Sequence, residues 1–103
     1  MKVTYSDEVF EELANLSFYL ADRSEKLAQK FLNSCDETFQ FLADNKFIGS
    51  KRDFKSKKLA EIRMWRVKNF EKYLIFYIPK DDSIKILHVF HSATDYNRAF
   101  EDE

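Results

Sequence analysis

Residues 61–91 read EIRMWRVKNFEKYLIFYIPKDDSIKILHVFH, and the hydrophobic period of this stretch decides the fold. In Glu61–Lys68, Ile62, Met64 and Arg66 alternate with Arg63, Trp65 and Val67, the two-residue period of a strand. Lys72–Ile78 and Ile84–His91 are two further runs rich in β-branched and aromatic residues, which suit a pleated surface. The gaps at Asn69-Phe70-Glu71 and Pro79–Ser83 are of hairpin length, so the three runs predict an antiparallel meander.

Upstream the period changes. Val9, Leu13, Leu16 and Leu20 recur at helical spacing with Phe10 beside them, predicting a first helix over Asp7–Ala21. Ser6 stands at its N-cap, with Asp7 and Glu8 in the first turn where the helix dipole favours anions. Leu27, Phe31, Cys35, Phe39 and Leu42 lie on one stripe of a second helix over Ser24–Asp44. The connection at Asp22-Arg23 is so short that the two helices must be antiparallel neighbours. Lys2–Tyr5 alternates and predicts a short strand at the sheet. The expected fold class is therefore α+β: an N-terminal strand, a two-helix hairpin on a three-stranded antiparallel meander, and a short C-terminal helix. Leu13, Leu16, Leu20, Phe31, Cys35 and Phe39 form the expected core.

Tyr73–Ile78 is apolar on both of its faces, and one helical hairpin covers only one. Tyr96 and Phe100 are the only large apolar residues after His91. The expectation is a sheet that keeps apolar surface for a partner chain; the alternative is that Phe47, Ile48 and Phe54 fold over it.

The length of 103 residues suits one domain, 1–103. A single cysteine offers no internal disulfide, and the first eight residues lack the apolar run of a signal peptide. No stretch approaches the ~20 apolar residues of a membrane span. These features predict a cytoplasmic protein. The net charge of −1 hides an uneven distribution: residues 1–45 carry nine acids against four bases, and residues 46–72 carry ten bases against three acids. Such asymmetry predicts a face for an anionic partner; the alternative is a solvated loop whose lysines serve solubility.

The order of these elements, with the YLIFY run at Tyr73–Tyr77 and the tail Ile84–Asp95, resembles bacterial toxins of the RelE/ParE superfamily, nearer the ParE-like branch. The resemblance implies the toxin of a type II toxin–antitoxin system, encoded beside an antitoxin that wraps it into a hetero-oligomer. ParE-like members of that group poison DNA gyrase; RelE-like members cut mRNA on the ribosome. A toxin relative that binds an antitoxin without a potent target is the third reading. The family's last strand often ends in His, two residues, then Arg-Asp. Here His91 and Asp95 fit, and Thr94 replaces the arginine that in nuclease members helps neutralise the cleaved phosphate.

Metal-independent RNA cleavage needs a proton-transfer group and several cations held together. His91, Arg63 and Tyr96 are the catalytic candidates for such a reaction, but Arg63 and Arg66 alternate to opposite strand faces and cannot both serve one site. His88 and His91 also face opposite sides, which is not metal-ligand geometry, and His88 reads as a hydrogen-bonded core group. Cys35 reads as a small buried hydrophobe. No metal or cofactor is called for, and with one glycine there is no glycine-rich phosphate loop. For antitoxin and target binding the candidates are Lys57, Lys58, Arg63, Trp65, Arg66, Lys68 and Lys72.

Overall fold

A computed structural model describes residues 2–51, 61–94 and Phe100. Its elements are β1 (Lys2–Tyr5), α1 (Asp7–Ala21), α2 (Glu25–Asp44), β2 (Ser50–Lys51), β3 (Arg63–Val67), β4 (Phe70–Pro79) and β5 (Ser83–His91). The α+β class and both helices match the expectation. Ser24 sits outside α2 as its N-cap, with its hydroxyl accepting the Leu27 N–H at 3.2 Å.

The sheet is larger than a three-stranded meander. Its order is β1-β5-β4-β3-β2, with β1 parallel to β5 and the other neighbours antiparallel. The first hairpin turns at Lys68-Asn69, one residue earlier and one shorter than the expected gap, so Phe70 already pairs with Val67. Asn69 makes this turn in the left-handed region, φ 67°, which asparagine tolerates through its short polar side chain.

The hairpin packs on one face of the sheet. Phe31, Cys35, Phe39 and Leu42 of α2 and Val9 and Leu20 of α1 bury against Tyr73, Ile75, Tyr77, Ile84, Ile86 and Val89. Leu13 and Leu16 are half-buried at the margin of this cluster rather than inside it. The α1 helix lies along β5, toward one side of the sheet, so its central leucines meet the rim of the core.

Simple alternation would put Ile86, His88 and Phe90 on one face, and a bulge in β5 separates Ile86 from the other two. Phe76 pairs with His88 and the next residue, Tyr77, pairs with Ile86, which leaves Leu87 as the extra residue. Ile86 therefore faces the hairpin, while the His88 ring stacks on Phe90, 4.9 Å between centroids. The start of α1 satisfies the backbone that the bulge frees. The Ser6 hydroxyl donates to the Leu87 carbonyl at 2.6 Å, in place of the expected side-chain cap on α1. The Glu12 carboxylate accepts the Val89 N–H at 3.0 Å and meets His88 Nδ1 at 2.7 Å.

The far face of the sheet is not bare. Ile62, Leu74, Phe76 and Phe100 form a second buried cluster, with the Phe100 ring 5.1 Å from both Phe76 and His88. The expectation of an open apolar sheet fails because one aromatic from the tail plugs the centre of that face. Phe47 and Ile48 do not serve as its cover, since both are exposed. Phe54 and all of the expected C-terminal helix except Phe100 lie outside the described residues.

Phe31 is wholly buried between Phe70 and Tyr73, with centroids at 5.3 and 4.9 Å. Phe31→Ala is predicted to cost roughly 3–5 kcal/mol, a large share of a typical margin of about 5–15 kcal/mol. Urea denaturation of the variant should show that loss in midpoint; an unchanged midpoint would contradict this packing.

Candidate functional site

The site begins where α2 ends. Asn45 closes the helix, its side-chain amide donating to the Phe41 carbonyl at 2.9 Å and its own carbonyl accepting the Ile48 N–H at 3.0 Å. From below, β4 sends up Tyr77, whose side chain is wholly buried. The Tyr77 hydroxyl accepts the Gly49 N–H at 2.9 Å and donates to the Lys46 carbonyl at 2.9 Å. Gly49 is the chain's only glycine, and a Cβ there would lie 2.5 Å from that hydroxyl. No side chain fits. Burial raises the Tyr77 pKa above its usual 10.0, against the opposing pull of the Gly49 N–H and Arg63. The hydroxyl keeps its proton at neutral pH and can donate it to Lys46.

Two cations complete the loop. Arg63 on β3 donates to the carbonyls of Gly49 at 2.7 Å and Phe47 at 3.0 Å. The Lys46 ammonium donates to the carbonyls of Lys80 and Asp81 at 2.7 and 2.9 Å. Both also flank the Phe47 ring, each 5.3 Å from its centroid, within cation–π range. Phe47 is nevertheless 65% exposed, with Ile48 beside it at 42%.

Two residues along β3 from Arg63, on the same face, Trp65 meets Phe41 of α2 with ring centroids 6.0 Å apart. These rings line a groove of about 430 Å³ between α2 and β3, together with Glu37, Thr38, Arg66 and Lys68. Thr38 ties the groove floor together, its hydroxyl accepting the Lys68 N–H at 3.1 Å and donating to the Ser34 carbonyl at 2.6 Å. The Lys68–Glu37 pair at 3.8 Å is two-thirds exposed on both sides and contributes little to stability. Beyond Arg63 and Met64, which pair with β2, the outer edge of β3 has no neighbouring strand among the described residues.

The expected binding residues therefore divide. Arg63 and Trp65 join one strip with Phe41 and Phe47. Arg66 and Lys68 stand at the groove, Arg66 donating to the Glu71 carbonyl at 2.7 Å. Lys72 is exposed and alternates with Tyr73, so it faces away from the hairpin. Lys57 and Lys58 lie outside the described residues, as does Tyr96.

The expected catalytic set is not assembled. Arg63 pairs with Tyr77 and His91 with Tyr73, so the two are four residues apart along β4, about 13 Å at strand rise, on strands either side of it. His91 packs edge-on against Tyr73, and its Nδ1 accepts the Ala93 N–H at 3.0 Å. Cys35 is buried, and burial, reinforced by nearby Asp36, pushes its thiol up to about 12. It is no nucleophile at neutral pH. Among the described residues no cluster of three His, Cys, Asp or Glu side chains has metal-binding geometry.

Sequence reasoning misses Lys46, Phe47, Gly49 and Tyr77 as a unit, and Glu12 as the partner of His88. The one available signal is the lone glycine just after a helix, beside two apolar residues. A chain that uses glycine once marks a place where a side chain cannot fit.

Three comparisons bear on this geometry. The family model described as the ParE toxin of the type II toxin–antitoxin system, parDE, matches residues 3–96. No curated protein matches the chain. A solved structure titled as the chromosomal ParDE TA system from P. aeruginosa is similar to it, with a TM-score of 0.68 and 15% identity over 88% of this chain and 95% of the other.

The Cys35 thiol supplies a pH test. The unfolded thiol titrates near 9.0 and the folded one near 12, so the unfolded chain loses its proton first. The associated stability is complete below pH 9 and is lost as pH rises from 9 to about 12. Tyr5, Tyr73 and Tyr77 shift the same way from 10.0. Melting temperature is predicted to fall across this window, and less steeply for Cys35→Ala; equal slopes would contradict the burial of the thiol.

Proposed function

The chain belongs to the ParE toxin family of type II toxin–antitoxin systems, and on that premise we propose that it acts by binding. It grips and inhibits a macromolecular target, DNA gyrase, and a cognate antitoxin neutralises it. The observation that carries this reading is the strip Phe41–Trp65–Arg63–Phe47, which sets exposed rings among cations beside an open groove. An acidic, amphipathic antitoxin segment suits such a surface. Its apolar side chains would supply most of the affinity, and its carboxylates would steer association toward Arg63, Arg66 and Lys68, with Lys57, Lys58 and Lys72 extending the basic field. The match to a ParDE system structure supports the antitoxin as partner.

The whole of residues 1–103 works as one toxin domain in the cytoplasm, where gyrase and newly made antitoxin are found. No helix among the described residues is long and apolar enough to cross a membrane. Cleavage of mRNA on the ribosome is the weaker reading. It calls for His91, Arg63 and Tyr96 at one point, and the first two stand on opposite sides of β4.

The test has two arms. Induced alone, the chain should arrest growth with DNA breaks and intact mRNA; mRNA decay without DNA breaks would contradict the gyrase reading. With the protein encoded beside it, the chain should form a complex. Arg66→Glu with Lys68→Glu should slow association about tenfold at low salt, and less at high salt. Unchanged association rates would place the antitoxin surface elsewhere.

A further inference from the structure

The loop from Asn45 to Ser50 holds a large aromatic ring in water. Phe47 is among the most exposed large apolar residues, yet side chains hold the backbone at and around it. Its carbonyl takes a bond from Arg63, the carbonyl before it takes one from Tyr77, and the N–H two residues later gives one to Tyr77. Lys46 crosses to the β4–β5 turn and fixes the loop from outside. None of this buries the ring. A phenylalanine exposed to this degree contributes little to folding through the hydrophobic effect, so the scaffold orders a ring whose remaining surface a partner can cover.

The charges say what kind of partner. Arg63 and Lys46 bond to backbone carbonyls, and neither is in an ion pair among the described residues. Two positive charges therefore flank the ring, and no carboxylate among the described residues is ion-paired with either. Covering it with apolar surface would strengthen both cation–π contacts by excluding water, and would favour anions in the same segment. Of the other exposed aromatics, Phe41 lies on the strip itself, Phe10 and Phe18 stand on α1 with no cation over either ring among the described residues, and Tyr19 on the same helix has the single cation Arg23 over its ring at 5.5 Å. Phe47 alone has two cations over its ring among the described residues.

We propose that Phe47, with Ile48 beside it, is a preorganised anchor for the antitoxin, taking a large apolar side chain of an acidic segment whose carboxylates reach Arg63 and Lys46. The inference rests on the reading of this strip as the antitoxin surface, and it names the residue that dominates it. The anchor lies at the end of the strip furthest from the groove, so the bound segment runs from Phe41 and Trp65 past Arg63 to Phe47. Because the loop is already ordered, binding avoids most of the entropic cost of fixing it. Truncating the anchor should act mainly on dissociation.

The experiment measures binding of the full chain to the protein encoded beside it, with circular dichroism confirming that each variant folds. Phe47→Ala is expected to raise Kd at least tenfold, chiefly through faster dissociation. Tyr77→Phe keeps the ring but removes both loop bonds of the hydroxyl, and a smaller rise is expected. Phe18→Ala should bind as the wild type does. If Phe47→Ala binds like wild type while Trp65→Ala weakens the complex, the anchor is refuted and the antitoxin surface stands. If neither substitution weakens binding, or the wild-type chain does not bind at all, both are refuted.

Discussion

The Tyr77 hydroxyl stands between the Gly49 N–H and the Lys46 carbonyl, and the geometry of the site depends on that bridge. Tyr77 is part of the core by its ring and part of the site by its oxygen. The ring is packed under α2 on β4, with strands on both sides, so the oxygen has little freedom to move. Whatever it holds inherits that rigidity. A buried hydroxyl without partners would be costly, and here each of its two bonds also satisfies a backbone group in a loop that has no ladder of its own. The bridge therefore stabilises the core and orders the loop together. Arg63 adds to it from β3, reaching two further carbonyls of the same loop.

A second polar device plays the matching part on the other side of the sheet centre. The bulge at Leu87 interrupts the pairing of β4 with β5, and the first turns of α1 answer it: Ser6 takes the Leu87 carbonyl and Glu12 takes the Val89 N–H. These bonds fix α1 along β5, while the apolar stripe of α2 fixes the other helix over the centre. The hairpin is thus located by directional bonds at one strand and by packing at the others. With α2 so placed, Phe41 comes against Trp65 and the groove opens beside β3. The strip of rings and cations follows from both devices, since its members come from α2, the loop and β3.

The helices were legible in the sequence because their signal is redundant. Val9, Leu13, Leu16 and Leu20 repeat one message four times, and α1 runs over Asp7–Ala21 as the period predicts. The sheet was legible in its three long strands and not in its edges. Four residues at Lys2–Tyr5 and two at Ser50–Lys51 hold too little pattern to reveal their partners. The β5 bulge was illegible for a different reason. One inserted residue inverts the alternation beyond it, and Ile86–Leu87–His88 carries no mark of the slip. Cover for the far face was hidden in Phe100, a single tail residue whose placement depends on the whole fold. Of the site, Arg63, Trp65, Arg66 and Lys68 were visible through charge and aromatic character. Tyr77 was not, because a tyrosine in an apolar strand reads as core, and its role lies in one oxygen atom whose partners are some thirty residues away.

An ordered loop and a merely exposed one would look alike in sequence, and they differ in one observable. The Gly49 amide has no strand neighbour to protect it and donates to the Tyr77 hydroxyl. Native-state hydrogen exchange at that amide is therefore the direct measurement. Strong protection in the wild-type chain is expected, lost in Tyr77→Phe while the amides shared by β4 and β5 keep theirs. A Gly49 amide that exchanges freely in the wild type, or that is equally protected without the hydroxyl, would contradict the account.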